Sequence, residues 1–127
     1  MTEDNIKMLS NELTDAEEIL RRDNKISDAL KQYNKVCKIY EELNDFETAS
    51  YFYGRCLEIS RENKEFAGEC DALKGLGICE EKVLNIFESM KYLENALELS
   101  IDRGLKKNET QISQELVRVY KNIAMDF

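Results

Sequence analysis

Residues 74–83 read Lys74-Gly75-Leu76-Gly77-Ile78-Cys79-Glu80-Glu81-Lys82-Val83, and the chain echoes them twice. A shift of 40 residues aligns Val36, Leu76 and Leu116, then Ile39, Cys79 and Val119, then Leu43, Val83 and Ile123. The intervening segments repeat as well: Ala49 meets Ser89, Tyr53 meets Leu93, Cys56 meets Ala96, and Leu57 meets Leu97. Two kinds of helix therefore alternate. One further step back reaches Leu9, Leu13, Ala16 and Ile19, so the N-terminal stretch reads as the second helix of an earlier unit. A fixed period of this length predicts a solenoid, in which each helix pair buries its apolar face only against its neighbours.

Composition agrees with an all-α chain. With 127 residues it has room for a single core, and the whole of 1–127 reads as one continuous domain. A charged fraction of 35%, no Pro and only 5 Gly favour long helices over strands. Polar breaks at Arg22-Asp23-Asn24-Lys25, Asn44-Asp45, Glu62-Asn63-Lys64, Asn85 and 104–108 divide the chain into six helices. Their predicted spans are 3–21, 27–43, 46–62, 66–84, 86–103 and 109–126, joined by connections short enough to make successive helices antiparallel. Gly75 and Gly77 fall inside the fourth helix, where each costs about 1 kcal/mol relative to Ala. Close approach of the next helix accounts for Gly77, whereas the sequence offers no reason for Gly75.

Charge and cysteine pattern bound the function. A formal net charge of -8 opposes nucleic acid and anionic membrane surfaces. No apolar run approaches the roughly 20 residues of a membrane span. The acidic start, Met1-Thr2-Glu3-Asp4-Asn5, is unlike a secretory leader, so the expected location is intracellular. Cys37, Cys56, Cys70 and Cys79 form no Cys-x-x-Cys and have no His to join them, which speaks against zinc and for small buried side chains. No acid, base or nucleophile is set in a recognisable catalytic context, so neither enzyme activity nor a cofactor is expected. Gly75-Leu76-Gly77 lacks the third Gly, the strand and the Lys-Ser/Thr of a phosphate loop. Tyr33, Tyr40, Tyr51, Phe52, Tyr53, Phe87 and Tyr92 follow helical faces and read as core packing rather than as a platform for bases.

Leu76-Gly77, Ser89, Leu93 and Ala96 in one unit, and Val36-Cys37, Tyr40, Ala49, Tyr53 and Cys56 in the other, resemble the tetratricopeptide signature. That signature asks for Leu-Gly, a small residue 12 after the Gly, a large one 4 later and Ala 3 after that. Small residues at these positions let paired helices approach, while Tyr53 and Leu93 fill the groove between pairs. Glu80 departs from the pattern, standing where the family has an aromatic, and the period of 40 exceeds the common 34, with the added length placed around Arg61 to Ala72. The long period resembles a subclass found in cell-polarity, receptor-clustering and motor-adaptor scaffolds, and also ciliary and axonemal members.

The resemblance implies a right-handed α-α superhelix that acts as an adaptor, with the first helix of each pair lining a concave groove. Its groove positions here are Lys31, Asn34 and Lys38, then Asp71, Lys74 and Ile78, then Gln111, Gln114 and Arg118. Four of these are basic and one acidic, which suits a peptide or helix carrying carboxylates. Chaperone-tail clamps in the family place Lys before Asn and Lys before Arg, four residues apart. Here Asn34 precedes Lys38 and Gln114 precedes Arg118, so tight binding of chaperone tails is not expected. The alternative role is a structural subunit of a ciliary or motor-associated assembly that docks through its end surfaces, in the cytoplasm, cilium or cytoskeleton. Leu9, Leu13, Val119, Ile123 and Phe127, in the end helices, are candidates for self-association. Whether the chain is a piece of a longer array stays open.

Overall fold

The computed structural model describes residues 3–23 and 25–126. The break residue Asn24, the first two residues and the association candidate Phe127 lie outside the described residues. Six helices follow one another: α1 (Glu3–Glu18), α2 (Ile26–Glu42), α3 (Phe46–Glu62), α4 (Phe66–Lys82), α5 (Ile86–Asp102) and α6 (Lys106–Asp126). A π-helical turn, Ile19–Asp23, prolongs α1. No strand occurs among the described residues.

Helices α2 to α5 each have 17 residues, so the length beyond a 34-residue unit is spread evenly and not concentrated near Arg61 to Ala72. The regularity comes from four copies of one turn. Asn44, Lys64, Leu84 and Gly104, spaced 20 apart, all adopt positive φ, between 53° and 68°. In the first copy the Asn44 amide donates to the Glu41 carbonyl and the Asp45 amide to the Tyr40 carbonyl, and the same two bonds recur at each turn. They satisfy the carbonyls orphaned at a helix end, a Schellman arrangement made by the main chain. Main-chain closure explains why α6 begins at Lys106, three residues before its predicted start: the Leu105 amide bonds the Ser100 carbonyl and the next helix follows at once. Side-chain capping is present at Asp45, which accepts from the Thr48 amide at 3.2 Å, but not at Asn85, whose amide group donates to Glu80 instead.

Each helix packs on the next, giving an antiparallel α-α superhelix. Beyond sequential neighbours, α2 comes close to α4 and α4 to α6, whereas no two odd-numbered helices approach as closely. The even helices therefore form the inner, tighter side of the curve. Three apolar clusters succeed one another along the stack. The first joins Ala16, Leu30, Tyr33, Cys56, Ile59 and Ala72; the second Cys37, Ala49, Tyr53, Leu76 and Cys79; the third Cys70, Leu73, Leu93, Ala96, Ile112, Leu116 and Val119.

Packing at the small residues follows the repeat. A Cβ on Gly77 would lie 2.8 Å from Leu93 Cγ, so this glycine admits α5. Gly75 has a different partner: a Cβ there would fall inside the Tyr53 ring, which lies 2% exposed on α3. All four cysteines are buried free thiols. The neighbouring Cys56 thiol and burial hold Cys37 protonated, and burial pushes Cys70 and Cys79 up to about 11.

Two expectations need correction. Leu9 and Val119 are buried in the chain's own core and Leu13 and Ile123 pack against it, because these positions face the neighbouring helix within the stack. The apolar side chains that α6 does expose are Val117, Tyr120 and Met125. Among the aromatics, Tyr33 and Tyr53 are core, but Tyr51 and Phe87 are exposed.

Candidate functional site

Because α2, α4 and α6 share the inner side, residues one or two turns apart on each of them meet there. A cavity of about 250 Å³ is lined by Asn34 and Lys38 from α2, Asp71, Lys74 and Gly75 from α4, Gln111 from α6 and Tyr53 from α3. Five of the nine residues expected to line a groove thus converge. Lys31 stands to one side, in a separate depression between α1 and α2, and Gln114 to the other, on the exposed surface of α6. Ile78 is half-buried and lines neither cavity.

Arg118 is the main departure. Its Nη1 donates to Glu81 Oε2 at 2.7 Å, and its Nη2 and Nε donate to Glu115 Oε2 at 2.7 and 2.9 Å. Glu81 is only 8% exposed and also accepts from Asn122 at 3.2 Å. Burial alone would raise the Glu81 carboxyl, but the hydrogen bonds and charge of Arg118, with Asn122, outweigh it and hold the group below the usual carboxylate range. Arg118 therefore joins α4 to α6 and is not a free groove cation, so the basic excess read from the sequence is smaller in the fold.

The remaining groups are positioned by their neighbours. Asn108 donates to Asp71 Oδ1 at 2.8 Å, and Lys74 Nζ donates to Gln111 Oε1 at 3.4 Å. Burial pushes the Asp71 carboxyl above its ordinary value despite Lys74 and Asn108 nearby. Lys38 Nζ lies 3.4 Å from Glu41 Oε2, the atom that also accepts from the Tyr53 hydroxyl at 3.0 Å. Tyr53, Gly75, Glu41 and Asn108 were not among the expected site residues. The unexplained helix-interior Gly75 was the available signal: it makes room for the ring that floors the cavity.

Chemically the site offers two ammonium donors, two carboxamides able to give and accept, and one oriented carboxylate, around a floor that includes an aromatic ring. Among the described residues no group of three or more His, Cys, Asp or Glu could hold a metal ion. No helix among them is long and apolar enough to cross a membrane. Compared with family models and with curated proteins, the chain matches none.

Proposed function

We propose that this chain is a protein-interaction scaffold of the tetratricopeptide type, holding an extended partner segment along the inner faces of α2, α4 and α6, and that it binds its partner without converting it. The observation that carries this reading is the convergence of Asn34, Lys38, Asp71, Lys74 and Gln111, from three helices, on one cavity above Tyr53. Carboxamides at Asn34 and Gln111 suit the alternating N–H and C=O groups of an extended main chain. Lys38 and Lys74 suit a carboxylate, through charge-assisted hydrogen bonds. With Arg118 occupied, the preference for an acidic partner rests on those two lysines.

The test is partner recovery by the tagged chain, compared with its Lys38→Glu and Lys74→Glu variants. Both side chains lie on the surface of the groove, so folding is expected to persist. Loss of the recovered partner in both variants supports the groove; retention in both, with loss on altering the terminal helices, removes it.

A second reading, docking of the stack's end surfaces in a larger assembly, has its own support: on the end helix α6, Val117, Tyr120 and Met125 are exposed. Placement in a cilium or beside a motor rests on the residue resemblance alone.

A further inference from the structure

Two depressions lie at opposite ends of the stack. One, of about 620 Å³, is on α6; the other, of about 400 Å³, lies between α1 and α2 and is lined by Met8, Glu12, Lys31, Asn34, Lys35, Lys38 and Ile39. Moving the second lining forward by one 40-residue repeat turns Glu12 into Phe52, Lys35 into Gly75 and Ile39 into Cys79. Two of those counterparts are covered by α2, since Tyr40 stacks on Phe52 at 5.8 Å and Cys37 shares a cluster with Cys79, while Gly75 is covered by Tyr53 of α3. The α1–α2 depression is thus the place where an inner helix preceding α1 would pack.

We propose that the α1–α2 depression takes up an acidic amphipathic helix of a partner protein, seated against Met8, Ile39 and the lysines of α2. Lys31, Lys35 and Lys38 succeed one another at i, i+4 and i+7, one stripe along α2, on a chain whose net charge is -8. Glu12 approaches Lys35 at 4.0 Å and Glu41 approaches Lys38 at 3.4 Å, while Lys31 has no ion-pair partner among the described residues. Beside the stripe, Met8 is half exposed and forms the apolar lining with Ile39. An entering helix matches this surface with two apolar residues at i and i+4 and with Glu or Asp on the flank facing α2. A second copy of this chain fits less well. Its α6, the inner helix it would supply here, has four basic residues, Lys106, Lys107, Arg118 and Lys121, against three acidic ones. The site differs from the α2–α4–α6 cavity except for Asn34 and Lys38, which line both.

Three synthetic peptides, stapled as helices, test the proposal on the full chain by fluorescence anisotropy and by amide shifts in 1H–15N spectra. The first has Leu at i and i+4 with Glu flanks, the second the same Leu with Lys flanks, the third Glu flanks with Ala in place of Leu. The expected result is saturable binding of the first, with shifts centred on residues 31–39 and Met8, and at least about tenfold weaker binding of the other two. Lys31→Glu with Lys35→Glu is expected to weaken the first peptide at least about tenfold and to transfer preference to the second. Lys74→Glu should leave all three unchanged. Equal binding of the Lys-flanked peptide, binding of none, or self-association that Lys31→Glu with Lys35→Glu abolishes would overturn the proposal. Shifts centred on Asp71, Lys74 and Gln111 would overturn it too while leaving the groove reading intact.

Discussion

The contact of α4 with α6 and the contact of α2 with α4 join equivalent inner helices, yet they are built from different chemistry. Between α4 and α6 four polar links form a ladder: Asp71 with Asn108, Lys74 with Gln111 and Glu81 with Arg118, each spanning 37 residues, and Glu81 with Asn122, spanning 41. Between α2 and α4, no side-chain hydrogen bond or ion pair occurs among the described residues. That contact relies on a small residue, Gly68, whose Cβ would lie 2.7 Å from Leu30, while Gly75 on the same helix makes room for Tyr53 of α3. The zipped side is thereby tied by its own side chains, and Lys74 and Gln111 keep further donors beyond their one mutual bond. The glycine side keeps Asn34 and Lys38 available to a ligand, and the cavity opens beside them.

Gly75→Ala attacks the glycine-bearing helix α4 where it packs on Tyr53 of α3 and should have the largest effect. Tyr53 is buried and its hydroxyl is tied to Glu41, so the ring cannot swing away cheaply. A loss of about 3 kcal/mol is expected in denaturant unfolding. Gly54→Ala, in α3 with open space around its Cβ position, should instead gain about 0.5 to 1 kcal/mol. A Gly75→Ala chain as stable as the wild type would show that α3 and α4 do not depend on close approach at Tyr53.

Arg118→Ala attacks the zipped side by leaving Glu81 buried without its cation. Because Arg118 is itself 39% exposed, the expected loss is about 2 kcal/mol, below the range for fully buried pairs. The same link responds to acid. Glu81 has a folded pKa below its unfolded value, so its stabilisation is complete above roughly pH 4.3 and is lost as pH falls through the lower folded value. Glu81→Gln should therefore cost about 1 kcal/mol near pH 7 and converge with the wild type as the carboxyl of the folded chain is protonated in acid. Parallel stability curves across that range would mean that the ladder contributes little.

The smallest effects belong to the turns, which both interfaces share. Gly104→Ala puts a side chain at φ 67° and should cost about 1 kcal/mol. Leu84→Gly relieves a non-glycine residue at φ 68° and should gain about 0.5 kcal/mol, since the added freedom of the unfolded chain offsets part of the relief. If either turn variant matched Gly75→Ala in size, the turns and not the interfaces would control the stack.

All-helical character and the alternation of two helix kinds were legible in the residues, because burial against fixed neighbours imposes the same small or large side chain at Cys37 and Gly77, at Ala49 and Ser89, and at Cys56 and Ala96 every 40 residues. For the same reason five of the nine expected groove residues do line the cavity. The commitment of Arg118 to Glu81, the role of Gly75 and the contrast between the two inner contacts appear only once the helices are packed. A repeat register aligns residues that occupy equivalent places, whereas three of the four side-chain hydrogen bonds between α4 and α6 join residues 37 apart and not 40. That offset of three residues, about 4.5 Å along a helix, is set by how the helices slide against each other, and it decides which charges are spent inside the molecule and which remain for a partner.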